Sequence, residues 1–333
     1  MARSGTLDRM TADDRVMLQA AGLGRRFGSL WAIRGMDLEV LRGEVVGLLG
    51  PNGAGKTTTV RLLTALIAPT EGRAWVDGLD VTEAPETVRS RVGILTETPG
   101  LYEKLSARAN LEFFGRLYGL DATTRATRIE RYLRLFSLWD RRDDVAGNLS
   151  KGMKQKLAIA RALLHEPAVV FLDEPTAALD PEAAYIVREA IEELRRSGRT
   201  IVLATHNLDE ADRLCDRVAF VRGGLLRVDS PAGLRASLGR HGVEVGLGSA
   251  ADEGLIEAAC GVAGVSGVEV SNGQRRLVVT AADPGAVALL TPVLVRALVE
   301  AGAEIVEVRE IETTLEEVYF QVMGVRPEHG DAA

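Results

Sequence analysis

The chain has 333 residues, which is long enough for one large and one small domain. Hydrophobic residues make up 46% of it, as in a globular protein with a buried core. The net charge of −7 and the pI of about 5.4 argue against a nucleic-acid partner, because such proteins usually carry a basic surface. No apolar run is long enough to cross a bilayer, and the N-terminus lacks the apolar core of a secretory signal. We therefore expect a soluble, cytoplasmic protein.

The composition and the hydrophobic pattern divide the chain into a polar N-terminal segment, a long α/β region and a small C-terminal region. Residues 1–15 are predicted to be a disordered tail. From residue 16 to residue 238, short apolar strands alternate with helical patterns, which predicts an α/β domain with a largely parallel sheet. The runs "EVVGLL", "AVVFLDEP" and "TIVLATH" are nearly continuous in apolar residues, as expected for strands buried on both faces.

A helical subdomain is predicted within this region, at about residues 99–165. The stretches "ANLEFFGRLYGL" and "ATRIERYLRLFSLW" have the spacing of amphipathic helices, and no strand lies between them. The aromatic residues here include Phe113, Phe114, Tyr118, Tyr132 and Phe136. We interpret them as packing residues of the helices; the alternative is a docking surface for a partner.

Residues 239–333 are predicted to form a small α+β accessory domain. Four stretches have strand character, namely "VEVGLG", "GVEVSN", "RRLVVTA" and "EIVEVRE". Two others, "ADEGLIEAACGV" and "PGAVALLTPVLVRALVEAG", have helical character. None of these residues forms a pattern with recognisable chemistry.

A phosphate-binding loop is predicted at residues 50–57, "GPNGAGKT", which fit the pattern GxxxxGK[ST] between a strand and a helix. Gly50, Gly53 and Gly55 allow the backbone to curl so that its N–H groups point at phosphate oxygens, beside the positive end of the helix dipole. Lys56 is expected to reach the β- and γ-phosphates of ATP, and the Thr57 hydroxyl to bind Mg²⁺.

Acidic residues and a histidine follow two of the predicted strands. Asp173 and Glu174 end "VVFLDEP", and His206 ends "TIVLATH". In an open parallel sheet, ligands bind beside the carboxyl ends of the strands. We therefore predict that Asp173 holds Mg²⁺, that Glu174 polarises the attacking water and that His206 contacts the γ-phosphate. The alternatives are solvated charges at a strand end and a structural histidine. Asn207 and Glu210 resemble a helix capping box.

The stretch "LSKGMKQ", residues 149–155, precedes a helical pattern far from the phosphate-binding loop. Ser150 there is predicted to cap the helix. A helix N-terminus with serine, glycine and free N–H groups is also a suitable site for an anion. Both interpretations remain open from these residues alone.

Five motifs in this order, "GPNGAGKTT", "LSKGM", "FLDEP", "AALD" and "ATH", resemble the ATP-binding subunit of ABC transporters over residues 17–238. The resemblance implies a P-loop NTPase fold with an inserted helical subdomain. It also implies a head-to-tail homodimer that forms with ATP, in which Ser150 and Gly152 cover the γ-phosphate bound to the other chain. Asp180 matches the loop that signals across that dimer, and Phe27 matches the aromatic residue that stacks on adenine, with a core position as the alternative.

The resemblance extends to a full set of site residues. The implied ATP contacts are Phe27, Gly50, Pro51, Asn52, Gly53, Ala54, Gly55, Lys56, Thr57, Thr58, Ser150, Gly152 and Asp180. The implied catalytic residues are Glu174 and His206, and the implied Mg²⁺ ligands are Thr57, Glu97 and Asp173. Glu97 departs from the family pattern, which usually has glutamine at this position.

One branch of the family is the most similar, the ATPases of drug-resistance and polysaccharide-type exporters. The chain resembles it in "LYEKLSARANLEFFGRLYGL" and "TTLEEVYFQVMG". This implies an ATP-hydrolysing subunit that powers a separately encoded permease, holds to the inner face of the membrane through it, and serves export of drugs or other hydrophobic compounds. The alternatives are a soluble ABC ATPase acting on ribosomes or DNA, and a regulatory module that binds ATP without hydrolysing it.

Overall fold

The computed structural model describes residues 15–96, 98–239, 241–311 and 313–324. The predicted tail, apart from Arg15, lies outside these residues. The chain divides into two compact units, one ending at Ser230 and the other beginning at Pro231. Among the described residues, no helix is both long enough and apolar enough to cross a membrane.

The first unit contains strands and helices in alternation. Its strands are β1 (Val16–Phe27), β2 (Leu30–Leu41), β3 (Val45–Leu49), β4 (Glu71–Val76), β5 (Leu79–Asp80), β6 (Val92–Leu95), β7 (Val169–Asp173), β8 (Thr200–Thr205), β9 (Arg217–Val221) and β10 (Leu225–Asp229). Its α-helices are α1 (Lys56–Leu63), α2 (Pro85–Arg91), α3 (Ala107–Leu117), α4 (Ala122–Leu135), α5 (Lys151–Leu163), α6 (Pro181–Arg196) and α7 (Leu208–Leu214).

The central sheet has the strand order β10-β9-β3-β8-β7-β6. Strands β9, β3, β8, β7 and β6 are parallel, and β10 is antiparallel to β9. Every residue of β3, β7 and β8 is buried, which confirms the prediction made from their apolar runs. The ladder pairs Leu49 with Thr205 and Asp173 with Ala204, so the carboxyl ends of these three strands lie side by side.

A second sheet, which the sequence analysis did not separate from the first, has the order β2-β1-β4-β5 and is antiparallel throughout. Only two residues, Gly28 and Ser29, connect β1 to β2. Such a short connection can join antiparallel strands but cannot make the crossover that parallel strands need. Gly28 has φ +59°, a conformation that glycine adopts without strain.

The region between β6 and β7 contains α3, α4 and α5 and no strand from residue 99 to residue 165, as the sequence predicts. Its aromatic residues divide into two groups. Tyr132 and Phe136 are buried in the helix packing, whereas Phe113 is 44% exposed and Tyr118 is 38% exposed. Phe113 and Tyr118 are thus only partly covered, although both make ring contacts, Phe113 with Tyr102 and Phe114 and Tyr118 with His165. These two lie on the outward side of α3 and at its end.

The second unit is a four-stranded antiparallel sheet with helices on one face. Its strands are β11 (Gly242–Leu247), β12 (Val265–Ser271), β13 (Arg276–Ala281) and β14 (Ile305–Glu310), in the order β12-β13-β11-β14. Its helices are α8 (Pro231–Leu238), α9 (Glu253–Cys260), α10 (Val287–Glu300) and α11 (Leu315–Met323). Alternate residues of β11 and β13 pack against α9 and α10 to form a separate core.

The boundary between the units lies before α8, whereas the sequence analysis placed it at residue 238, after that helix. Helix α8 packs on α11, at the other end of the second unit. Next to it, a β-carbon on Gly239 would lie 2.7 Å from the Thr313 hydroxyl. Because these contacts join segments far apart in sequence, the local pattern of residues 231–238 does not reveal them.

A partly buried histidine that follows α5 bonds to β6. His165 Nε2 lies 3.1 Å from the carbonyl oxygen of Val92 and therefore carries the proton, while its Nδ1 is buried without a partner among the described residues. The Tyr118 ring stacks on the imidazole with centroids 3.8 Å apart. Burial lowers the pKa of His165 to about 4, and the hydrogen bond to Val92 only partly opposes this.

We expect this histidine to make the stability of the first unit depend on pH. The unfolded chain takes up a proton near the ordinary pKa of 6.5, whereas the folded chain does so only near pH 4. The stabilisation is therefore complete above about pH 7 and is lost as the pH falls from 6.5 towards 4, with a size of up to about 3 kcal/mol. Urea unfolding at several pH values should show this fall for the wild type and a smaller one for His165→Phe. His241→Asn, at an exposed histidine, is the control and should follow the wild type.

Candidate active site

The phosphate-binding loop connects β3 to α1 and is held in shape by its glycines. Gly53 has φ +79° and Gly55 has φ +103°, in the region that favours glycine. A β-carbon on Gly50 would lie 2.2 Å from the carbonyl oxygen of Val221, so the loop packs directly on the end of β9. Helix α1 then begins with Gly55 as its N-cap. The first N–H groups of a helix have no partner within it, so this helix end suits a phosphate, and the contact with phosphate stays a prediction.

The Lys56 side chain lies buried within this loop, with 7% of its surface exposed. Its Nζ donates to the carbonyl oxygen of Gly50 at 2.6 Å and to that of Pro51 at 3.3 Å. The Glu174 carboxylate is 4.0 Å away. Burial lowers the pKa of Lys56, while the charges of Glu174 and Asp173 oppose this shift. The Lys56 ammonium group therefore lies among the carbonyl oxygens of the loop and places a positive charge there.

The Thr57 hydroxyl donates to Asp173 Oδ2 at 2.8 Å, which brings the first turn of α1 to the end of β7. These two residues lie 116 positions apart in the sequence. A hydroxyl and a carboxylate are oxygen ligands of the kind that Mg²⁺ prefers. The described residues contain no group of three or more His, Cys, Asp and Glu side chains suited to a metal ion. Glu97, the third predicted ligand, lies outside the described residues.

Glu174 and His206 meet at the carboxyl edge of the central sheet. His206 Nδ1 lies 2.9 Å from Glu174 Oε1. The backbone of Glu174 has φ +50°, and its N–H donates to the carbonyl oxygen of Ala204 at 2.8 Å. Left-handed backbone is costly for a residue other than glycine, and such strain is often found at functional sites. It turns the Glu174 side chain from β7 towards the phosphate-binding loop.

Glu210 is a buried residue of this edge that the sequence analysis assigned to a capping box. Asn207 does cap α7, since its Oδ1 accepts from the N–H of Glu210 at 3.0 Å. The Glu210 carboxylate, however, accepts from Thr176 Oγ1 at 2.8 Å and from Thr205 Oγ1 at 3.1 Å. Glu210 therefore links Thr176, which follows Glu174 closely, to Thr205, which directly precedes His206. Burial raises the pKa of Glu210, and the two hydroxyl donors oppose this.

The second set of predicted residues lies around the N-terminus of α5. Ser150 caps this helix, and its Oγ accepts from the N–H of Met153 at 3.2 Å. A β-carbon on Gly152 would lie 2.9 Å from the Ala183 Cβ. Asp180 caps α6 by accepting from the Ala183 N–H at 2.8 Å. The structure thus brings Ser150, Gly152 and Asp180 together at the adjoining starts of two helices.

A cleft of about 550 Å³ lies beside Glu174 and the start of α5. Its lining consists of Pro99, Lys151, Lys154, Gln155, Glu174, Ala177 and Ala178. Gln155, on α5, donates to the carbonyl oxygen of Pro175 at 3.3 Å, directly after Glu174. Lys151 and Lys154 bring positive charge to the cleft, and Glu174 brings a carboxylate. A cleft with polar groups that converge on it is the usual form of a ligand site.

Phe27 lies at the end of β1 in the antiparallel sheet, and 47% of its side chain is exposed. Arg25 lies over the ring at 4.9 Å from its centroid. The alternative of a core position is therefore wrong. Adjacent strand β2 contacts the phosphate-binding loop, because a β-carbon on Gly55 would lie 2.6 Å from the carbonyl oxygen of Ala32. The exposed ring is free to stack on a base, and its contact with adenine stays a prediction.

The fold and the loop together define a P-loop NTPase, and residues 33–177 match the ABC transporter family. The daunorubicin resistance ATP-binding protein DrrA3 of Streptomyces coeruleorubidus is 40% identical over 91% of this chain and 94% of its own length. A fluoroquinolones export ATP-binding protein of Mycobacterium tuberculosis is 40% identical over 72% of this chain and 80% of its own. The chain belongs to the ABC transporter ATP-binding family and is an ATPase of that class.

A solved structure supports the fold and the family's mode of assembly. The dimeric cassette MJ0796, bound to ADP and Pi after hydrolysis, is 25% identical with a TM-score of 0.60, covering 64% of this chain and 98% of that one. The match leaves part of this chain uncovered, although it covers nearly all of the solved cassette.

We expect Glu210→Ala to destabilise the first unit by about 1–3 kcal/mol, because it leaves the hydroxyls of Thr176 and Thr205 buried without their acceptor. Urea unfolding measures the loss. Glu210→Gln keeps the size of the side chain and an acceptor oxygen, so its loss should be smaller. Equal stability of Glu210→Ala and the wild type would show that these two bonds do not hold the edge together.

Proposed function

We propose that this chain is the ATP-hydrolysing subunit of a two-chain motor that powers a separately encoded membrane exporter of drug-like, hydrophobic compounds. The observation that carries the proposal is the hydrogen bond between Glu174 and His206, 4.0 Å from the buried charge of Lys56. The names of the relatives support export, because one concerns daunorubicin resistance and another fluoroquinolone export. The cargo itself would be selected by the membrane partner.

Binding of ATP is assigned to the phosphate-binding loop. The N–H groups at the start of α1 would donate to the phosphate oxygens, and Lys56 would exchange its bonds to Gly50 and Pro51 for bonds to the β- and γ-phosphates. Thr57 and Asp173 would hold Mg²⁺, directly or through water. The bound ion would neutralise negative charge that develops on the phosphates. Phe27 would stack on the adenine ring.

Hydrolysis is assigned to Glu174 and His206. Glu174 would accept a proton from water as the water oxygen bonds to the γ-phosphorus and the bond to the β–γ bridging oxygen breaks, which yields ADP and phosphate. His206, through its 2.9 Å contact, holds the Glu174 carboxylate at the edge of the sheet and would orient the γ-phosphate beside it. Glu210 bonds to Thr176 and Thr205, which lie close to Glu174 and His206 in sequence, and so helps to hold both residues in place.

The N-terminus of α5 is assigned to the ATP bound by a second copy of the chain. Ser150 and Gly152 lie beside Asp180 at the start of α5, rather than on the phosphate-binding loop. The exposed Lys151 would add a positive charge there for the γ-phosphate. The dimeric state of the solved cassette MJ0796 supports this arrangement.

Attachment to the membrane is assigned to the exposed aromatic surface of the helical subdomain, defined here by Tyr102, Phe113, Leu117 and Tyr118. Their exposed fractions range from 38% to 70%, and the Tyr102 and Phe113 rings meet edge to face at 4.8 Å. Clustered exposed aromatic side chains are typical of protein interfaces. Through this surface the chain would bind its permease at the inner face of the membrane.

We expect Glu174→Gln to stop hydrolysis and to trap ATP, because the amide keeps the shape of the side chain but cannot accept the proton of water. The measurement is phosphate release by the purified chain, together with the amount of ATP that stays bound to it. The wild type should release phosphate, and the variant should release at least about a hundredfold less and retain intact ATP. Equal turnover of both proteins would contradict the assignment of Glu174.

We expect two inactive variants to restore activity when they are mixed, because each site takes its loop from one chain and its α5 from the other. Lys56→Ala removes the loop cation. Lys151→Glu places a negative charge next to the partner's γ-phosphate, while an acid at a helix N-terminus favours folding. Each variant alone should be inactive, and the mixture should recover about a quarter of the wild-type rate if chains pair at random and sites act independently. A mixture without activity would indicate that each site belongs to one chain.

A further inference from the structure

The second unit has an exposed edge at β14. This strand pairs on one side with β11, and no strand of the described residues pairs with its other side. Its apolar side chains are poorly covered, since Val306 is 75% exposed and Val308 is 36% exposed. An edge strand of this kind presents a row of unpaired N–H and C=O groups to which another strand can bind.

The ladder shows which backbone groups point outwards. Ile311 N donates to the carbonyl oxygen of Gly242 at 3.0 Å, so Ile311 bonds towards β11. The direction in which the backbone N–H and C=O groups point alternates from one residue of a strand to the next. The groups of Arg309 and Glu307 therefore also point towards β11, where these residues pair with Glu244 and Gly246. The N–H and C=O of Val308 point away from the sheet. Those groups are available to a second strand.

Two charged residues of β14 have opposite signs and lie on the same face of the sheet. Glu307 and Arg309 lie on the face of the sheet that the helices leave open, as does Glu244. Glu244 accepts from Arg276 at 2.8 Å and from Arg309 at 3.0 Å, so one carboxylate serves two guanidinium groups. Because Arg309 is half exposed and shares this carboxylate, its guanidinium can bind a further carboxylate from a neighbouring strand.

We propose that β14 pairs antiparallel with β14 of a second copy of the chain, about a twofold axis through Val308. In this register Val308 lies opposite Val308 of the second copy. The backbone N–H of each donates to the carbonyl oxygen of the other. Glu307 then faces Arg309 of the second copy, and this ion pair forms twice. Moving the axis by one residue would instead place Glu307 against Glu307 or Arg309 against Arg309, and like charges directly opposite each other are unfavourable.

The other edge of the sheet does not offer the same fit. Strand β12, Val265–Ser271, carries Glu269 as its only charged residue, so two copies of it offer no pair of opposite charges. The charges of β14 thus favour a second copy of the same strand over an uncharged foreign strand. Pairing at β14 involves neither the phosphate-binding loop nor α5 and needs no nucleotide. Its failure would leave the proposed ATPase function untouched.

A disulfide across the axis tests the register in the full chain, with Cys260 changed to serine and with no nucleotide present. Opposite residues of a hydrogen-bonded antiparallel pair have Cα atoms about 5.5 Å apart, within reach of a disulfide. Val308→Cys should therefore give a covalent dimer on mild oxidation. Val306→Cys is the matched control, because its two copies would lie about 14 Å apart, four residues along the strand. Equal linkage of both variants, or linkage of neither, would overturn the proposal.

A charge exchange tests the ion pairs. Glu307→Arg alone and Arg309→Glu alone should each weaken the nucleotide-free dimer by about tenfold or more in sedimentation, because like charges then face each other. An equimolar mixture of the two variants should restore dimerisation, since both positions then carry arginine in one chain and glutamate in the other. ATP hydrolysis by the Glu307→Arg chain should match that of the wild type. A Glu307→Arg chain that dimerises like the wild type, or a mixture that remains monomeric, would contradict the pairing.

Discussion

The parallel pairing of β3, β8 and β7 is the constraint on which the rest of the site depends. The register sets Leu49 beside Thr205 and Asp173 beside Ala204, so the residues that follow these strands come to one edge. Lys56, Glu174 and His206 meet there although long stretches of chain separate them. Because all three strands are buried, a change of register would expose apolar surface and break the ladder, which holds the edge in place.

The polar groups at this edge are buried and satisfy one another. Lys56 donates to loop carbonyls, Thr57 donates to Asp173, and Glu210 accepts from Thr176 and Thr205. An unpaired polar group in such surroundings would be costly, so the bonds select one arrangement of the loop and the strand ends. These bonds therefore fix the loop and the strand ends before any ligand binds. Preorganised charge of this kind is an effective source of catalysis.

The residues of the site divide into two sets within a single chain. One set surrounds the phosphate-binding loop, and the other lies where α5 and α6 begin. A dimer in which each set completes the other's site explains why a serine- and glycine-containing helix start lies away from the loop. The second unit has a core of its own and carries none of these residues. Its sheet edge offers a way for chains to associate that does not depend on nucleotide.

The sequence by itself determined the features that depend on near neighbours. The buried strands, the phosphate-binding loop and the cap at Ser150 follow from apolar runs, glycine spacing and a side chain that reaches its own helix. Only the tertiary structure decided which distant groups meet. It moved Glu210 from a predicted cap to a bridge between two threonines, exposed Phe113 and Tyr118, separated the antiparallel sheet and assigned α8 to the second unit. Each of these depends on contacts between segments far apart in the chain, which a local pattern cannot encode.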